Sequence, residues 1–351
     1  MKVLFITNEL LNSCGVSNHL YYLLPELKKL PNIEILLLCG GGDAVDKFKE
    51  LSIPIIVDAK FNHKYRSIKR YLFALLCLYR LIKNNNIEII HSHNHYAASI
   101  AFYASKITKT KTILTNHGLF PEVGILNHYL ADNIVAVNNH IYDYIISNKF
   151  ADNLKVRLIR NGVPLSGLNK SRNKKIKFLA ASRLVKGKGI DVFIKAVSLL
   201  PANYKERAEF YFAGKGELED ALLKVNKNLK EPVIFLGEIK NLKDELMKYD
   251  VFVFPSISEE GFPIAMTEAA FAKNLIITST FRGLEPIFDK NEDGLIFRIN
   301  NAVDLADKIK YAIDKFPKLT GLVEAFYIKV IELFDLQRMV TEIVKLYTEI
   351  L

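Results

Sequence analysis

The chain has 351 residues, half of them apolar and a quarter charged, and carries a net charge of +10. This composition excludes a disordered or fibrous chain, and the length suffices for two domains that each bury a core. The three cysteines, Cys14, Cys39 and Cys77, are odd in number and lack metal-ligand spacing, which excludes a disulfide framework and fits a reducing, cytoplasmic setting.

Residues 1–7 form an apolar run too short for a signal peptide. Asn8-Glu9 follows in place of a small-residue cleavage site, so the run reads as a first strand. Further short apolar runs stand at 34–39, 53–57, 87–91, 111–115, 133–137 and 156–159, separated by helical stretches. That alternation predicts a doubly wound parallel α/β domain over 1–165. In the first turn, Asn12-Ser13-Cys14-Gly15-Val16-Ser17, Gly15 is either a plain turn glycine or one that lets the backbone approach a diphosphate at a helix N-terminus. Pro25 is expected to interrupt the next helix and kink it near Leu24.

Residues 60–83 hold seven Lys or Arg and no acidic residue, with Ile68, Leu72, Leu75, Leu76, Tyr79 and Ile82 at helical spacing. The segment is either a core-packed helix with a basic outer face or a helix resting on an anionic membrane surface. Its apolar run over 71–82 contains Arg80 and is too short to span a bilayer. The positive charge needs no nucleic-acid partner, since a lysine-rich enzyme reaches it unaided.

Three imidazoles alternate in His91-Ser92-His93-Asn94-His95. If the backbone stayed extended they would share one face at metal-site spacing, the basis for a metal-dependent hydrolase as an alternative reading. Nothing later in the chain supplies a matching ligand cluster, and structural hydrogen bonding is the plainer role. In Thr115-Asn116-His117-Gly118 a histidine stands at a strand's carboxyl end, placed either to meet a ligand or to satisfy the loop. Glu122 follows in the same loop. A polar, basic linker over 166–175 separates the domains.

A second alternation starts at 176–180. The turn Ala181-Ser182-Arg183-Leu184-Val185-Lys186-Gly187-Lys188-Gly189 puts two cations, Arg183 and Lys188, on one loop. They are either ordinary surface cations or the pair that a diphosphate leaving group needs as charge builds on it. Strands follow at 210–213, before Gly214-Lys215-Gly216, and at 233–236 and 251–254. Next comes Ser258-Glu259-Glu260-Gly261-Phe262-Pro263-Ile264-Ala265-Met266-Thr267-Glu268, with Pro263 suited to the first turn of a helix over 264–273. Glu260 then lies in the loop and Glu268 inside the helix. Both carboxylates can face a site beside the positive end of the helix dipole, although a solvated helix glutamate is the commoner kind. A strand at 276–279, the segments Gly283-Leu284-Glu285-Pro286 and Asp293-Gly294-Leu295, and a helical tail over 322–351 complete the chain.

Several of these stretches together resemble one family. Glu260-x7-Glu268 with Gly261-Phe262-Pro263, Arg183-Leu184-x3-Lys188-Gly189, Thr115-x-His117-Gly118 and Asn161-Gly162-Val163 are similar to the motifs of retaining sugar-nucleotide glycosyltransferases of family 4, which have the GT-B fold. The resemblance is loose in the first half and specific from Arg183 to Gly294. Cys14, Ser182 and Pro164 depart from it, standing where the family usually has Gly, Gly and Asp.

The resemblance implies two Rossmann-like, doubly wound domains facing a central cleft. Residues 1–165 would form the acceptor side, 175–329 would bind the nucleotide-sugar, and a final helix over about 330–351 would return to the first domain. It implies that Glu268 binds the ribose hydroxyls, that Glu260 meets the sugar beside Gly261, Phe262 and Pro263, and that Arg183 and Lys188 hold the diphosphate with Gly15 close to it. His117 would orient the sugar near the anomeric carbon, with His93 and Glu122 on the acceptor side. The expected activity is transfer of a hexose-type sugar from a nucleotide-sugar, of the UDP class, to a glycan or lipid-linked acceptor in surface polysaccharide assembly. The nucleotide-sugar is a co-substrate, and no cofactor, metal or nucleic acid is expected; the absence of Asp-x-Asp agrees with neutralisation of phosphate by protein cations. The expected location is cytoplasmic, peripheral on the inner membrane face. A GT-B sugar-nucleotide epimerase or phosphorylase would share the architecture.

Overall fold

The computed structural model describes all residues except 13, 120–128, 165–173, 231, 259–263, 281–287 and 289–291. The chain divides into two compact units, Met1–Gly162 with Leu336–Leu351, and Val163–Asp335.

The first unit contains β1 (Lys2–Thr7), α1 (Gly15–Lys28), β2 (Glu34–Cys39), α2 (Val45–Lys49), β3 (Ile55–Val57), α3 (Ile68–Asn85), β4 (Ile89–Ser92), α4 (His95–Thr108), β5 (Lys111–Asn116), β6 (Asn133–Ala136), α5 (Asn139–Ser147) and β7 (Val156–Leu158). The strands form one seven-stranded sheet in the order β3-β2-β1-β4-β5-β6-β7, parallel at every pairing. Its interior strands are buried on both faces, which is why they read as continuous apolar runs. One face packs Leu20, Leu23, Leu24 and Leu27 of α1 against Val3 and Phe5. The other packs Ala74, Leu78 and Ile82 of α3 and Ala97, Ile100 and Ala101 of α4 against Leu4 and Ile6. Side-chain caps set the helix starts: Ser67 Oγ accepts from Arg70 N–H at 3.2 Å and Asn94 Oδ1 from Ala97 N–H at 2.8 Å.

The second unit contains β8 (Ile176–Ala181), α6 (Ile190–Ser198), α7 (Ala202–Arg207), β9 (Ala208–Ala213), α8 (Glu219–Asn228), β10 (Ile234–Phe235), α9 (Leu242–Leu246), β11 (Val251–Phe254), α10 (Ile264–Phe271), β12 (Leu275–Ser279), β13 (Leu295–Phe297), α11 (Ala302–Lys315) and α12 (Thr320–Phe334). Its six strands run in the order β10-β9-β8-β11-β12-β13, again parallel throughout. Phe178, Phe193, Phe210, Phe212 and Phe297 lie in its core.

The last helix, α13 (Leu336–Ile350), belongs to the first unit. Its buried stripe of Leu336, Met339, Val340, Ile343, Leu346 and Tyr347 joins the α1 core. Asp335, extended at φ −60° and ψ 133°, separates it from α12, so the helical tail is two helices.

Two expectations need correction, and one strand was not expected. Pro25 does not interrupt α1, which runs on to Lys28; its missing N–H removes one bond near the helix end, and Leu23, Leu24 and Leu27 anchor both sides in the core. The His91–His95 stretch does not stay extended, because β4 ends at Ser92 and Asn94 caps α4. Leu295–Phe297 is an edge strand whose three residues are too few for the alternation to stand out.

Candidate functional site

In the second unit the β8–α6 loop is tied down at both ends. Leu184 is fully buried and donates its N–H to the Lys215 carbonyl at 2.8 Å, leaving Arg183 exposed and Lys188 half-buried. The Gly187 carbonyl accepts from Ile257 N–H at 2.8 Å and from the Ser256 and Ser258 hydroxyls at 3.2 Å each. Gly189 opens α6 at φ +66°. A Cβ there would stand 1.9 Å from the Pro255 carbonyl oxygen, so only glycine permits this approach of the two loops.

These bonds hold the Arg183–Lys188 loop against the 255–258 segment, which leads toward α10. β8 and β11 are neighbours, with β9 beyond one and β12 beyond the other. Their carboxyl ends therefore flank the point where strand order reverses, the position at which open parallel sheets bind ligands. Glu268 sits in α10 at 2% exposure, among buried Met266, Thr267, Ala269, Ala270 and Phe271. It is not the solvated helix glutamate of the plainer reading. A carboxylate is kept in such a place only where partners satisfy it. Glu260, Gly261, Phe262 and Pro263 lie outside the described residues, as does Glu122.

The first unit has its own reversal point, between β1 and β4, and a cluster of histidines stands there. His93 donates its backbone N–H to Ile6 at 2.9 Å. Its ring Nδ1 lies 3.1 Å from His117 Nε2. His19, from the buried face of α1, packs its ring 5.3 Å from His93 and 4.8 Å from His117, centroid to centroid. His91 stacks on His93 at 4.6 Å, with Nδ1 2.7 Å from the Tyr347 hydroxyl of α13 and Nε2 2.6 Å from Thr115 Oγ1. Burial holds all four imidazoles neutral: His19 is pushed down to about 4 and His91 to about 3, while His93 and His117 lie well below the usual imidazole range.

The arrangement differs from a 91/93/95 metal site. His91 has both ring nitrogens bonded to hydroxyls, and His95 opens α4 with its ring against Tyr129. The nitrogens that do converge, within 4.8 Å, belong to His19, His93 and His117. Neutral imidazoles are a donor set for a borderline transition metal. Two of these nitrogens, however, already stand at the spacing of a shared proton.

His117 is half-buried and His93 is 3% exposed. Gly15 is the first residue of α1, with Cys14 at its N-cap, rather than part of a separate turn. His19 and Tyr347 escaped sequence reasoning. The only available signal for His19 was its place among the buried positions of α1, next to Leu20 and Leu23, where a histidine is out of keeping with leucines.

Comparison with known proteins agrees with both halves. Residues 14–166 match the family described as Glycosyltransferase Family 4, and residues 167–325 match Glycosyl transferases group 1. A Campylobacter jejuni enzyme named GalNAc-alpha-(1->4)-GalNAc-alpha-(1->3)-diNAcBac-PP-undecaprenol alpha-1,4-N-acetyl-D-galactosaminyltransferase is 25% identical over 90% of this chain and 89% of its own. An Escherichia coli UDP-Gal:alpha-D-GlcNAc-diphosphoundecaprenol alpha-1,3-galactosyltransferase is 24% identical over 79% of this chain and 80% of its own. Among solved structures, a glycosyltransferase from Rickettsia africae superposes with a TM-score of 0.83 at 22% identity, covering 99% of this chain and 98% of that one. HepE from Anabaena, solved with UDP-glucose, gives 0.83 at 16% identity over 99% and 100%. Two doubly wound parallel domains with these matches define a glycosyltransferase of the GT-B class. The chain belongs to the family 4, group 1 type of that class.

Proposed function

We propose that the protein moves a hexose-type sugar from a UDP-sugar to a lipid-linked glycan acceptor in cell-surface polysaccharide assembly, with retention of anomeric configuration. The observation that carries this reading is the joining of a cation-bearing loop, Arg183 to Lys188, beside the β8/β11 reversal point, to the segment before α10, a helix in which Glu268 is buried. Arg183 and Lys188 neutralise the diphosphate as it departs, Glu268 holds the ribose hydroxyls, and the N-terminal end of α1 at Gly15 offers backbone N–H groups to phosphate. Glu260, with Gly261, Phe262 and Pro263, contacts the sugar, and His117 orients it. Glu122 lies toward the acceptor.

In the reaction the bond from the anomeric carbon to the diphosphate oxygen breaks and a bond to the acceptor oxygen forms on the same face. The acceptor's proton passes to the departing phosphate. Protein cations supply the electrostatic stabilisation, so no metal is required. The names of the relatives support the donor and acceptor classes: four act on diphospho-undecaprenol-linked sugars and one of these names UDP-Gal. No helix among the described residues is long and apolar enough to cross a membrane. Access to a lipid-linked acceptor instead runs through α3, peripheral on the cytoplasmic face, whose exposed side carries Ile68, Leu72, Phe73 and Leu76 between Lys69, Arg70, Arg80 and Lys83. Nucleic acid has no part in this reading.

Thermal unfolding with a panel of UDP-, GDP- and ADP-sugars, without added metal, tests it. Ligand bound only to the native state at a hundred times Kd stabilises by about 2.7 kcal/mol. The expected result is stabilisation by a UDP-sugar that Arg183→Ala weakens and Glu268→Ala abolishes. Stabilisation by divalent metal alone, with no response to any nucleotide-sugar, would overturn the reading. Proton NMR of the product's anomeric centre then decides retention.

A further inference from the structure

We infer that His93 is a positioning residue that fixes the tautomer of His117: His93 Nδ1–H donates to His117 Nε2, so His117 carries its own proton on Nδ1. The inference rests on the preceding reading of His117 as the residue that meets the sugar, and it adds the form in which that imidazole is presented.

Two neutral imidazoles 3.1 Å apart, nitrogen to nitrogen, can share a hydrogen bond in only two ways. In the first, His93 donates from Nδ1 and its Nε2 is a bare lone pair. In the second, His117 donates from Nε2 and the proton of His93 must sit on its own Nε2. That atom is buried and has no hydrogen-bond partner among the described residues, in a side chain only 3% exposed. A buried N–H without an acceptor is disfavoured far more than an unused lone pair, by about tenfold or more in population. The first arrangement wins.

The surroundings keep the donor in place. His91 stacks on the His93 ring at 4.6 Å and is itself held at both nitrogens by Tyr347 and Thr115. Phe5 stacks on His93 at 5.9 Å. Burial holds both partners of the pair neutral, so neither is a cation that donates from both nitrogens. His117 Nδ1 makes no hydrogen bond among the described residues, and as an N–H it presents an uncharged donor to an oxygen. A sugar hydroxyl or a phosphate oxygen accepts from such a group; a bare Nδ1 would accept from hydroxyls and repel phosphate.

Side-chain 1H–15N correlation spectra of the histidine-labelled protein at neutral pH read the tautomers directly, with His117→Asn and His93→Asn used for assignment. The expected spectrum shows His93 and His117 both protonated at Nδ1. A His117 protonated at Nε2 overturns the inference, and so do His93 or His117 signals that move when a chelator is added, which would mean that a metal joins these nitrogens. This readout does not depend on activity, so it separates failure of the tautomer from failure of the glycosyltransferase reading. Kinetics give a second arm. His93→Leu lowers kcat by about ten- to a hundredfold with donor KM little changed. His93→Asn, whose amide N–H stands near the position of Nδ1–H, restores most of the loss. Equal losses in the two variants would overturn the positioning role.

Discussion

Four imidazoles that are neutral in the fold make the first unit sensitive to acid. His19 at about 4 and His91 at about 3 lie below the ordinary value of 6.5, and desolvation is the main cause at His93 and His117 too. The unfolded chain therefore binds more protons than the native one as pH falls below 6.5, and stability is lost progressively through that window down to the folded values. At pH 5 His19 and His91 each contribute about 2 kcal/mol of destabilisation relative to neutral pH, and His93 and His117 act in the same direction. Denaturant titrations at pH 7.5, 6 and 5 should show the loss, and His19→Gln should reduce its slope; an unchanged midpoint across that range would rule the mechanism out. Gly189 makes a second prediction at this scale. With φ +66° and a would-be Cβ 1.9 Å from the Pro255 oxygen, Gly189→Ala should destabilise the second unit by at least about 1–2 kcal/mol. It should also weaken stabilisation by a UDP-sugar, since the loop it displaces carries Arg183 and Lys188. Differential scanning calorimetry with and without the sugar nucleotide checks both effects.

At the scale of the element, α3 shows what spacing alone leaves open. Its apolar residues recur at helical intervals, but the face that packs on α4 and the sheet is Ala74, Leu78 and Ile82. Ile68, Leu72, Phe73 and Leu76 are 82%, 59%, 51% and 44% exposed. The helix is core-packed on that face, and on its outer face apolar and cationic side chains stand together. Replacing Leu72 and Phe73 with glutamate should abolish co-sedimentation with vesicles containing anionic phosphatidylglycerol, with little change in thermal midpoint because neither side chain is buried. Phosphatidylcholine vesicles should bind the unaltered protein weakly, and binding should fall with salt. Equal binding to both lipids would remove the charge from the argument.

At the scale of the whole molecule, the two units do not follow the chain as consecutive halves. α13 comes last in sequence, yet its six buried residues complete the α1 core of the first unit, and Tyr347 reaches His91. Each such side chain contributes about 1.5–3 kcal/mol on burial, so their sum rivals the whole stability of a typical domain. Removal of residues 336–351 should leave the first unit unfolded while the second still melts cooperatively, as circular dichroism of the truncated chain would show.

Much of this was legible in the sequence. Parallel strands buried on both faces must be short, apolar and β-branched, so their places and their alternation with helices stood out, and the loops Arg183–Gly189 and Ser258–Glu268 could be set at strand ends before any coordinates. Those properties depend on local backbone preference and on one-dimensional pattern. What only the tertiary structure decided is which groups meet across the sheet. It brought His19, His93 and His117 together from α1 and from just beyond β4 and β5 and left His95 to open α4. It buried Glu268, turned Ile68, Leu72 and Leu76 of α3 outward and carried Tyr347 to His91. Such meetings depend on strand order and on which helix face the neighbouring element covers, and a single chain's residue spacing does not encode either.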